Sequence, residues 1–535
     1  MNPTLEIRDL TITKGEQVLV DGISLDIAPG KKLGLIGESG AGKSLTALAI
    51  MGLLPQNLSL SGSIIFNGQE LIGRSQKDYA SLRGRHIAMI FQEPLTALNP
   101  VMKVGKQLLR AIHLHRAQTG MDPKARAQEM WENVGLDAEL FDRYPHELSG
   151  GQRQRVMIAM ALSNKPELLL CDEATTALDA FLARGIVDLI RELAAKEGTS
   201  VLFISHDLAI SSYFADEVAI INKGKIEEIS IAKPQLEIAS DYGRKLIATS
   251  DMEARDNQGK LYTMETVNSV DFPYIPGHRY REPAQIPIGA PLVEITNLGK
   301  KYKKSWRRPE TTAVENINLT IRRGERLGII GGSGSGKSTI LQMIAGIEKP
   351  TSGNITWHTK SKPRISMIFQ DPYSSLDPRR TVGESIAEGL GHRDNTVIKK
   401  ALEDVGIESS AASRYPHEFS GGQRQRISIA RALVSKPDII LADEAVSALD
   451  VSIRAQVINL LNEILATKTC EFPTSLVFVS HDLDLISTIS DNVAILNIGQ
   501  VVEFGLVREV FNHPKSSFTQ ALLDSSLPKP GVKLP

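Results

Sequence analysis

The chain repeats itself once, and this duplication limits the possible folds more than any other feature of the sequence. GLIGESGAGKS pairs with GIIGGSGSGKS, IAMIFQEP with ISMIFQDP, and YPHELSGGQRQR with YPHEFSGGQRQR. Further along, KPELLLCDEATTALD pairs with KPDIILADEAVSALD, and TSVLFISHDL with TSLVFVSHDL, in the same order in both halves. A unit of about 240 residues is too long for a solenoid repeat, so the sequence predicts two copies of one domain.

The domain boundaries follow from the two copies. We predict a first domain over residues 1–240, a linker over 241–291, and a second domain over 292–535 that ends in a short extension. The linker includes DFPYIPGHRYREPAQIPIGAP, which contains five prolines and no sustained helical or strand period.

Composition excludes several classes of function. Lys and Arg number 61 against 62 Asp and Glu, so no net charge draws the chain to nucleic acid or an anionic bilayer. The two cysteines, Cys171 and Cys470, exclude a dense disulfide framework or a Cys-rich metal site and fit a reducing cytosol. No apolar run approaches the ~18 residues of a membrane span, so a membrane role needs a partner. The amino terminus, with Glu6, lacks a secretory signal core, and we do not expect export.

The first repeated segment has the features of a phosphate-binding loop between a strand and a helix. Its glycines let successive backbone N–H groups curl around phosphates, and the amino terminus of the following helix favours an anion. Lys43 and Lys337 add positive charge, and the hydroxyls of Ser44 and Ser338 can bind Mg²⁺. The predicted nucleotide contacts are Gly37, Glu38, Ser39, Gly40, Ala41, Gly42, Lys43 and Ser44 in the first copy, and Gly331, Gly332, Ser333, Gly334, Ser335, Gly336, Lys337 and Ser338 in the second.

An Asp-Glu pair follows a continuous apolar run in each copy. The runs LLLC and IILA predict strands buried on both faces. The carboxyl ends of such strands face the ligand in a doubly wound sheet, although alone the pairs are equally well explained as ordinary strand-end charges. The glycine loop upstream favours the catalytic interpretation. Asp172 and Asp443 are the predicted Mg²⁺-side acids, and Glu173 and Glu444 are predicted to polarise the attacking water.

The tetrapeptide Ser-Gly-Gly-Gln precedes a helical pattern in each copy, RQRVMIAMAL or RQRISIARAL. A glycine-exposed helix amino terminus is a second anion site. Alone, the tetrapeptide is better explained as a helix cap, but its presence in both halves favours ligand binding. The predicted residues are Ser149, Gly150, Gly151 and Gln152, and Ser420, Gly421, Gly422 and Gln423.

Two further polar residues recur after apolar strands. His206 and His481 each follow a strand and a serine, which suits an imidazole directed at a terminal phosphate or its water. Gln92 and Gln370 are predicted to sense Mg²⁺ and water. Single residues of these types are more often structural, so both assignments rest on the shared order of the motifs.

Together these residues resemble the nucleotide-binding domains of ATP-binding-cassette (ABC) proteins, with Walker A, Q-loop, LSGGQ signature, Walker B and H-loop motifs and D-loop residues Asp179 and Asp450. The resemblance covers nearly all of both halves. It implies an α/β fold with two P-loop NTPase cassettes, each a RecA-like α/β core with an antiparallel β subdomain and a helical subdomain. It also implies ATP hydrolysis with Mg²⁺ in both copies. The implied metal residues are Ser44, Gln92 and Asp172, and Ser338, Gln370 and Asp443.

In that family two cassettes enclose two ATP molecules head to tail. Carried over here, the resemblance implies one site that joins Lys43, Gln92, Asp172, Glu173 and His206 to residues 420–423. The other site joins Lys337, Gln370, Asp443, Glu444 and His481 to residues 149–152.

Narrower motifs are similar to those of the dipeptide and oligopeptide importer branch, and of its fused two-cassette members. They are FQEPLTALNP and FQDPYSSLDPR, YPHE before both signatures, and HPKSSFTQALL near the carboxyl end. The resemblance implies two integral-membrane permease subunits as partners and a solute-binding protein that acts indirectly. It places the chain in the cytoplasm, peripheral on the inner membrane, with no nucleic-acid partner and no span of its own.

The sequence departs from the family pattern at several positions, among them Ala174 and Ala445 after the predicted catalytic glutamates, a change in the turn that should not remove the chemistry. Tyr302 stands where the family stacks an aromatic ring on adenine, whereas the first copy offers Lys14, so base stacking there is expected to be weaker. Phe419 replaces the usual leucine before the second signature. Every catalytic residue type is present twice, and we predict two working sites.

Several alternatives stay open from the sequence. The imported cargo could be glutathione, nickel, a peptide antibiotic or a sugar, because a cassette carries no cargo pocket. Tandem cassettes also act on ribosomes or nucleic acid, although a ribosome-acting type would need a charged helical linker rather than this proline-rich one. A nucleotide-binding scaffold without turnover is a further alternative.

Overall fold

The computed structural model describes residues 2–175, 179–232, 236–252, 254–256, 259–264, 266–267, 289–302, 310–359, 361–370, 375–446, 449, 451–466, 474–525 and 532–533. Asp450, residues 371–374 of the second post-Q-loop motif and most of the proline-rich linker lie outside these residues. The chain forms two compact units, residues 1–250 with 527–535 and residues 251–526.

The first unit contains an antiparallel sheet and a larger mixed sheet. The antiparallel sheet, in the order β2-β1-β4-β5, consists of β1 (Leu5–Lys14), β2 (Gln17–Ile27), β4 (Ser59–Phe66) and β5 (Gln69–Glu70). The mixed sheet, in the order β10-β9-β3-β8-β7-β6, consists of β3 (Lys32–Ile36), β6 (Ile87–Ile90), β7 (Leu168–Asp172), β8 (Ser200–Ser205), β9 (Glu217–Asn222) and β10 (Lys225–Ile231). All its neighbours pair in parallel except β10, which runs antiparallel to β9.

The helices of the first unit cover the mixed sheet and form a separate helical group. They are α1 (Lys43–Ile50), α2 (Gln76–Leu82), α3 (Pro94–Ala97), α4 (Val104–Leu114), α5 (Arg116–Thr119), α6 (Pro123–Asn133), α7 (Gly150–Leu162), α8 (Ala180–Glu197), α9 (Leu208–Phe214) and α10 (Asp241–Ser250). Short 3₁₀ helices span Ala138–Asp142 and Pro145–Glu147. The short strand β11 (Leu236–Glu237) precedes α10.

The second unit repeats this architecture. Its antiparallel sheet, in the order β13-β12-β15, consists of β12 (Pro291–Tyr302), β13 (Thr311–Arg322) and β15 (Ser352–Trp357). Its mixed sheet, in the order β16-β17-β18-β14-β19-β20, consists of β14 (Arg326–Gly331), β16 (Ile365–Ile368), β17 (Ile439–Asp443), β18 (Ser475–Val479), β19 (Asn492–Asn497) and β20 (Gln500–Leu506).

The helices of the second unit follow the same plan. They are α11 (Lys337–Ile344), α12 (Val382–Leu390), α13 (Asn395–Asp404), α14 (Gly421–Leu433), α15 (Val451–Ala466), α16 (Leu483–Ile489), α17 (Val507–Asn512) and α18 (Ser517–Asp524). Short 3₁₀ helices span Ser409–Ser413 and Pro416–Glu418. The final strand, β21 (Val532–Lys533), belongs to the first unit and pairs in parallel with β11 of the same unit.

Burial explains why the central strands have continuous apolar sequences. Every residue of β7 and β17 is buried, because helices or the antiparallel sheet cover both faces of a parallel sheet. The edge strand β10, KIEEISI, instead alternates between half-buried and exposed residues. The predicted α/β fold with two cassettes is confirmed. In the part of the chain that the structure describes, no helix is both long and apolar enough to cross a bilayer.

The second unit begins just after α10 with residues that pack against its own helices. Met252 and Leu261 are buried in the same apolar cluster as the helices of that unit. The side-chain amide of Asn459 on α15 accepts a hydrogen bond from the Leu261 N–H and donates one to its carbonyl oxygen, both at 2.9 Å. The Thr488 hydroxyl donates to the Met252 carbonyl oxygen at 2.6 Å. The described residues of 251–267, which we call the strap, are therefore held by specific polar contacts.

Replacing Asn459 with alanine should destabilise the second unit. The substitution leaves the N–H and carbonyl groups of Leu261 without their partners, so we expect the free energy of unfolding to fall by about 1–3 kcal/mol in urea denaturation. Glu463→Gln is the matched control, since Glu463 contacts the same strap through an exposed ion pair with Lys260. The control should change stability little, and equal effects of both variants would contradict the assignment.

Candidate active sites

The predicted site residues meet at one edge of each mixed sheet. In the first unit the glycine loop follows β3, His206 follows β8, the Asp172-Glu173 pair lies at the end of β7 and Gln92 follows β6. These four strands are consecutive and parallel in the sheet, so their carboxyl ends lie side by side. The second unit has the same arrangement at the ends of β14, β18, β17 and β16. This edge is where ligands bind in doubly wound sheets.

The glycine loop of the first unit wraps around its own lysine. The buried Lys43 ammonium group donates hydrogen bonds to the carbonyl oxygens of Gly37 and Glu38, each at 2.8 Å. Gly42 caps α1 with φ of 99°, a conformation that favours glycine, and a Cβ there would lie 2.7 Å from Val20. The loop therefore reaches α1 by a path that requires glycine, and it ends at a helix amino terminus, which favours an anion.

The second glycine loop has matching geometry. Lys337 donates to the carbonyl oxygens of Gly331 and Gly332 at 2.7 Å and 2.9 Å. Gly336 caps α11 with φ of 99°, and a Cβ there would lie 2.5 Å from the Ala313 carbonyl oxygen. Both loops meet the steric requirements of a phosphate cradle.

A glutamine and a histidine hold the glutamate of the first unit. The Gln92 amide donates to Glu173 Oε2 at 2.8 Å, and His206 Nδ1 lies 3.5 Å from Glu173 Oε1. The three groups come from three neighbouring strands. The carboxylate is thus fixed in orientation, as a residue that must align a water molecule requires.

The second unit repeats this cluster with slightly shorter contacts. Gln370 donates to Glu444 Oε2 at 2.7 Å, and His481 Nδ1 lies 3.3 Å from Glu444 Oε1. Burial acts to raise the pKa of Glu444, but the hydrogen bond and charge of His481, with Lys337, lower it below its ordinary value. Burial likewise acts to lower the pKa of His481, yet Glu444 and Asp482 raise it. The cluster thus favours an ionised carboxylate beside a protonated imidazole.

The preceding aspartates are more deeply buried than the glutamates. Burial raises the pKa of Asp172 and of Asp443, against the opposing hydrogen bonds from Ser44 and Ser338. The Ser44 hydroxyl donates to Asp172 Oδ1 at 2.9 Å, and Asp443 Oδ1 is buried with no hydrogen-bond partner among the residues that the structure describes. A buried carboxylate next to a serine hydroxyl and a phosphate cradle fits a site for Mg²⁺, which is usually held by one or two carboxylates plus phosphate and water oxygens.

Both glutamates have a strained backbone, which the sequence patterns did not predict. Glu173 and Glu444 have φ of 49° and 46°, in the left-handed region that side chains with a Cβ rarely adopt. Each N–H is held by a carbonyl oxygen of the neighbouring strand, that of Ile204 or Val479, at 3.0 Å. Strain that recurs at the same functional position in both copies points to a geometric requirement of the site.

Each signature tetrapeptide starts a helix, as predicted. Ser149 caps α7 and exchanges capping hydrogen bonds with Gln152, and Ser420 and Gln423 do the same at α14. A Cβ at Gly150 or Gly421 would meet no atom within 4 Å. The preceding YPHE motif forms a capped 3₁₀ turn, so part of its pattern has a structural cause. The contact of these helices with nucleotide remains a prediction.

Tyr302 and Lys14 occupy equivalent places at the ends of β12 and β1. The register supports this, because Val293 pairs with Trp357 as Leu5 pairs with Phe66. Tyr302 packs under the Lys300 ammonium group, which lies 5.1 Å from the ring centroid. Adenine stacking on this ring remains a prediction.

The two halves match one protein family. A family profile described as ABC transporter matches residues 20–176 and 314–447, which is more than half of the chain. The chain is 38% identical to the peptidoglycan transport ATP-binding protein YejF of Agrobacterium fabrum, over 97% of this chain and 96% of that protein. It is 39% identical to the glutathione import ATP-binding protein GsiA of Salmonella typhimurium, over 95% and 87%. It is 36% identical to the oligopeptide transport ATP-binding protein OppD of Mycobacterium tuberculosis, over 99% of both.

Solved structures share the fold at lower identity. The archaeal ribosome recycling factor aABCE1, in complex with the stalk protein aP1, has a TM-score of 0.61 at 23% identity and covers 95% of both chains. A structure titled RNase-L Inhibitor has a TM-score of 0.62 at 22% identity, over 97% of this chain and 99% of that one. At these identities the likeness concerns the fold alone.

The backbone strain at Glu444 can be tested by comparing glycine with alanine. At an ordinary position alanine is the more stabilising residue, but the left-handed φ of residue 444 penalises any residue with a Cβ. We expect Glu444→Gly to have a higher free energy of unfolding than Glu444→Ala by about 0.5–1 kcal/mol. The same pair of substitutions at the exposed helical Glu463 should give the opposite order. Alanine being the more stabilising at both positions would rule out strain.

Proposed function

Since the chain belongs to the ABC transporter family of ATP-binding proteins, we propose that it hydrolyses ATP to drive import of short peptides through separate permease subunits. The observation that carries this proposal is the duplicated Gln–Glu–His cluster. Both clusters lie next to a complete glycine loop at the carboxyl ends of parallel strands. If one of the two sites were inactive, its Gln–Glu–His cluster would have no catalytic role, so the presence of both clusters favours two working sites.

In each site the residues have separable roles. The loop amides and the lysine bind the phosphates of ATP. The glutamate accepts a proton from the attacking water while the water oxygen bonds to the γ-phosphorus. The bond between the γ-phosphorus and the oxygen that bridges it to the β-phosphate breaks, which gives ADP and phosphate. The histidine and glutamine keep the carboxylate directed at that water.

Mg²⁺ has a matching set of ligands in each copy. Ser44 with Asp172, and Ser338 with Asp443, would hold the ion, and Gln92 and Gln370 lie at the neighbouring strand ends. When bound, Mg²⁺ neutralises charge that builds up on the phosphate oxygens. It would also favour ionised forms of the two aspartates, whose pKa burial raises.

The printed names of the three relatives support peptides as the cargo class of this chain. The printed names refer to oligopeptides, glutathione and peptidoglycan, and all three contain amino-acid residues in amide linkage. We propose the same class here, with two permease subunits as partners, a solute-binding protein acting indirectly, and the cytoplasmic face of the membrane as the location. Glutathione is the second candidate, because GsiA is 39% identical over 95% of the chain.

Substituting both glutamates should separate binding from turnover. The chain with Glu173→Gln and Glu444→Gln should bind ATP with unchanged affinity, because the loops and lysines remain, and should lose turnover by about 10²-fold or more. The measurement is phosphate release beside equilibrium binding of labelled ATP. Lys43→Ala with Lys337→Ala is the matched pair, and it should weaken binding. Turnover that persists without the glutamates would contradict the catalytic assignment.

Recovery of partners tests the transport proposal. We expect the tagged chain, purified from detergent-solubilised membranes of its host, to bring down two multi-spanning permeases. Cells that lack the chain should lose uptake of a labelled tripeptide, and wild-type chain but not the double glutamine variant should restore it. Uptake of glutathione alone would select the second candidate. Recovery of ribosomes or nucleic acid in place of permeases would overturn the transport proposal.

A further inference from the structure

The signature helix of the second unit is bonded to the turn that carries its own catalytic glutamate. Gln425 lies on α14, two residues beyond the signature, and only 3% of its surface is exposed. Its Nε2 donates a hydrogen bond at 2.5 Å to the carbonyl oxygen of Ala445, the residue after Glu444. Ala445 is buried as well. The bond therefore lies in a low-dielectric interior, where loss of a partner is costly.

This hydrogen bond holds the backbone next to Glu444, which has a strained conformation. Glu444 has the left-handed φ of 46°, and its N–H is held by the Val479 carbonyl oxygen. Strained conformations of this type persist only when the surroundings hold them on more than one side. The Val479 carbonyl oxygen holds the chain before the side chain of Glu444, and the Gln425 amide holds it immediately after.

The described part of the first unit shows no equivalent bond. Gln154 corresponds to Gln425 and is just as buried, but its Nε2 has no hydrogen-bond partner among the described residues. The two helices also differ further along. On α14, Ser428 and Arg431 contact Ser375 beyond the Q-loop, with the Ser428 and Ser375 hydroxyls 2.7 Å apart. The corresponding residues of α7 are the methionines Met157 and Met160.

We propose that Gln425 is a positioning residue that holds the turn carrying Glu444, and that the first cassette does not use Gln154 in this way. The inference rests on the proposed catalytic role of Glu444. It makes the two active sites inequivalent, because among the described residues the signature helix bonds to the turn of the second glutamate and not to that of the first. A nucleotide that moves the signature of this cassette would thereby also act on the glutamate of the same cassette.

Paired methionine substitutions test this proposal in the full-length chain. Methionine has nearly the length of glutamine but donates no hydrogen bond. With Glu173→Gln present, so that Glu444 alone supports turnover, Gln425→Met should lower kcat about tenfold and change KM for ATP less than about twofold. With Glu444→Gln present, Gln154→Met should change kcat less than about twofold. A role in folding alone would lower thermal stability without this split between kcat and KM.

If either single-glutamate background is inactive, the two sites turn over in sequence, and the slower one limits the rate. The two methionine variants are then compared in the otherwise unchanged chain, with the same expected fold-changes. Should Gln425→Met fail to fold, Gln425→Asn replaces it, because its amide is one methylene too short to reach Ala445 and should lower kcat equally.

Equal effects of the two methionine variants, or a folded Gln425→Met chain with unchanged kcat, would overturn the inference. A failure of the proposed function has a different signature, since turnover would then persist in the chain that lacks both glutamates. The two outcomes are therefore distinguishable in one series of proteins.

Discussion

Complete burial of parallel strands that end in charged residues is the constraint on which the structure depends. The strands β7 and β17 are buried along their whole length, yet each ends in an aspartate followed by a glutamate. An ionised group at this depth is stable only if polar partners surround it. Gln92 and His206 supply them to Glu173 from adjacent strands. The contacts that stabilise the ionised carboxylate also fix its orientation, so folding and catalysis depend on the same set of contacts.

The features that could be predicted from the sequence are those that depend on neighbouring residues. The glycine loops, the buried strands and the helices after each signature follow from period, glycine spacing and capping residues, which act over a few positions. The clusters of polar residues at the strand ends were also predictable, because parallel strands bring their carboxyl ends together. Roles for the nucleotide-contacting residues are still predictions, since they depend on a ligand.

Contacts between distant segments were not predictable from these patterns. The left-handed φ of Glu444 has no local signal, because glutamate is not a residue that favours it. The bond from Gln425 to Ala445 joins positions twenty apart through the tertiary fold. The sequence offers one weak indication of this bond, since the second glutamine of SGGQRQR recurs in both halves. A charged helix face explains the same pattern equally well. The packing of the strap has no sequence signal, because its buried apolar residues, Met252 and Leu261, follow no helical or strand period.

Duplication allows one copy to change while the other keeps the common geometry. The clusters around the glutamates are nearly identical, whereas the residues that connect them to the rest of each cassette differ. Arg454 on α15 contacts Asp482 beside the second histidine at 3.2 Å, and alanine, Ala183, stands at the corresponding place in the first copy. Together with the Gln425 bond, this contact beside His481 distinguishes the surroundings of the second cluster from those described for the first. Identical catalytic groups can thus be held in position to different degrees. A difference in turnover between the two sites would then come from the residues that position the glutamates and not from the catalytic residues themselves.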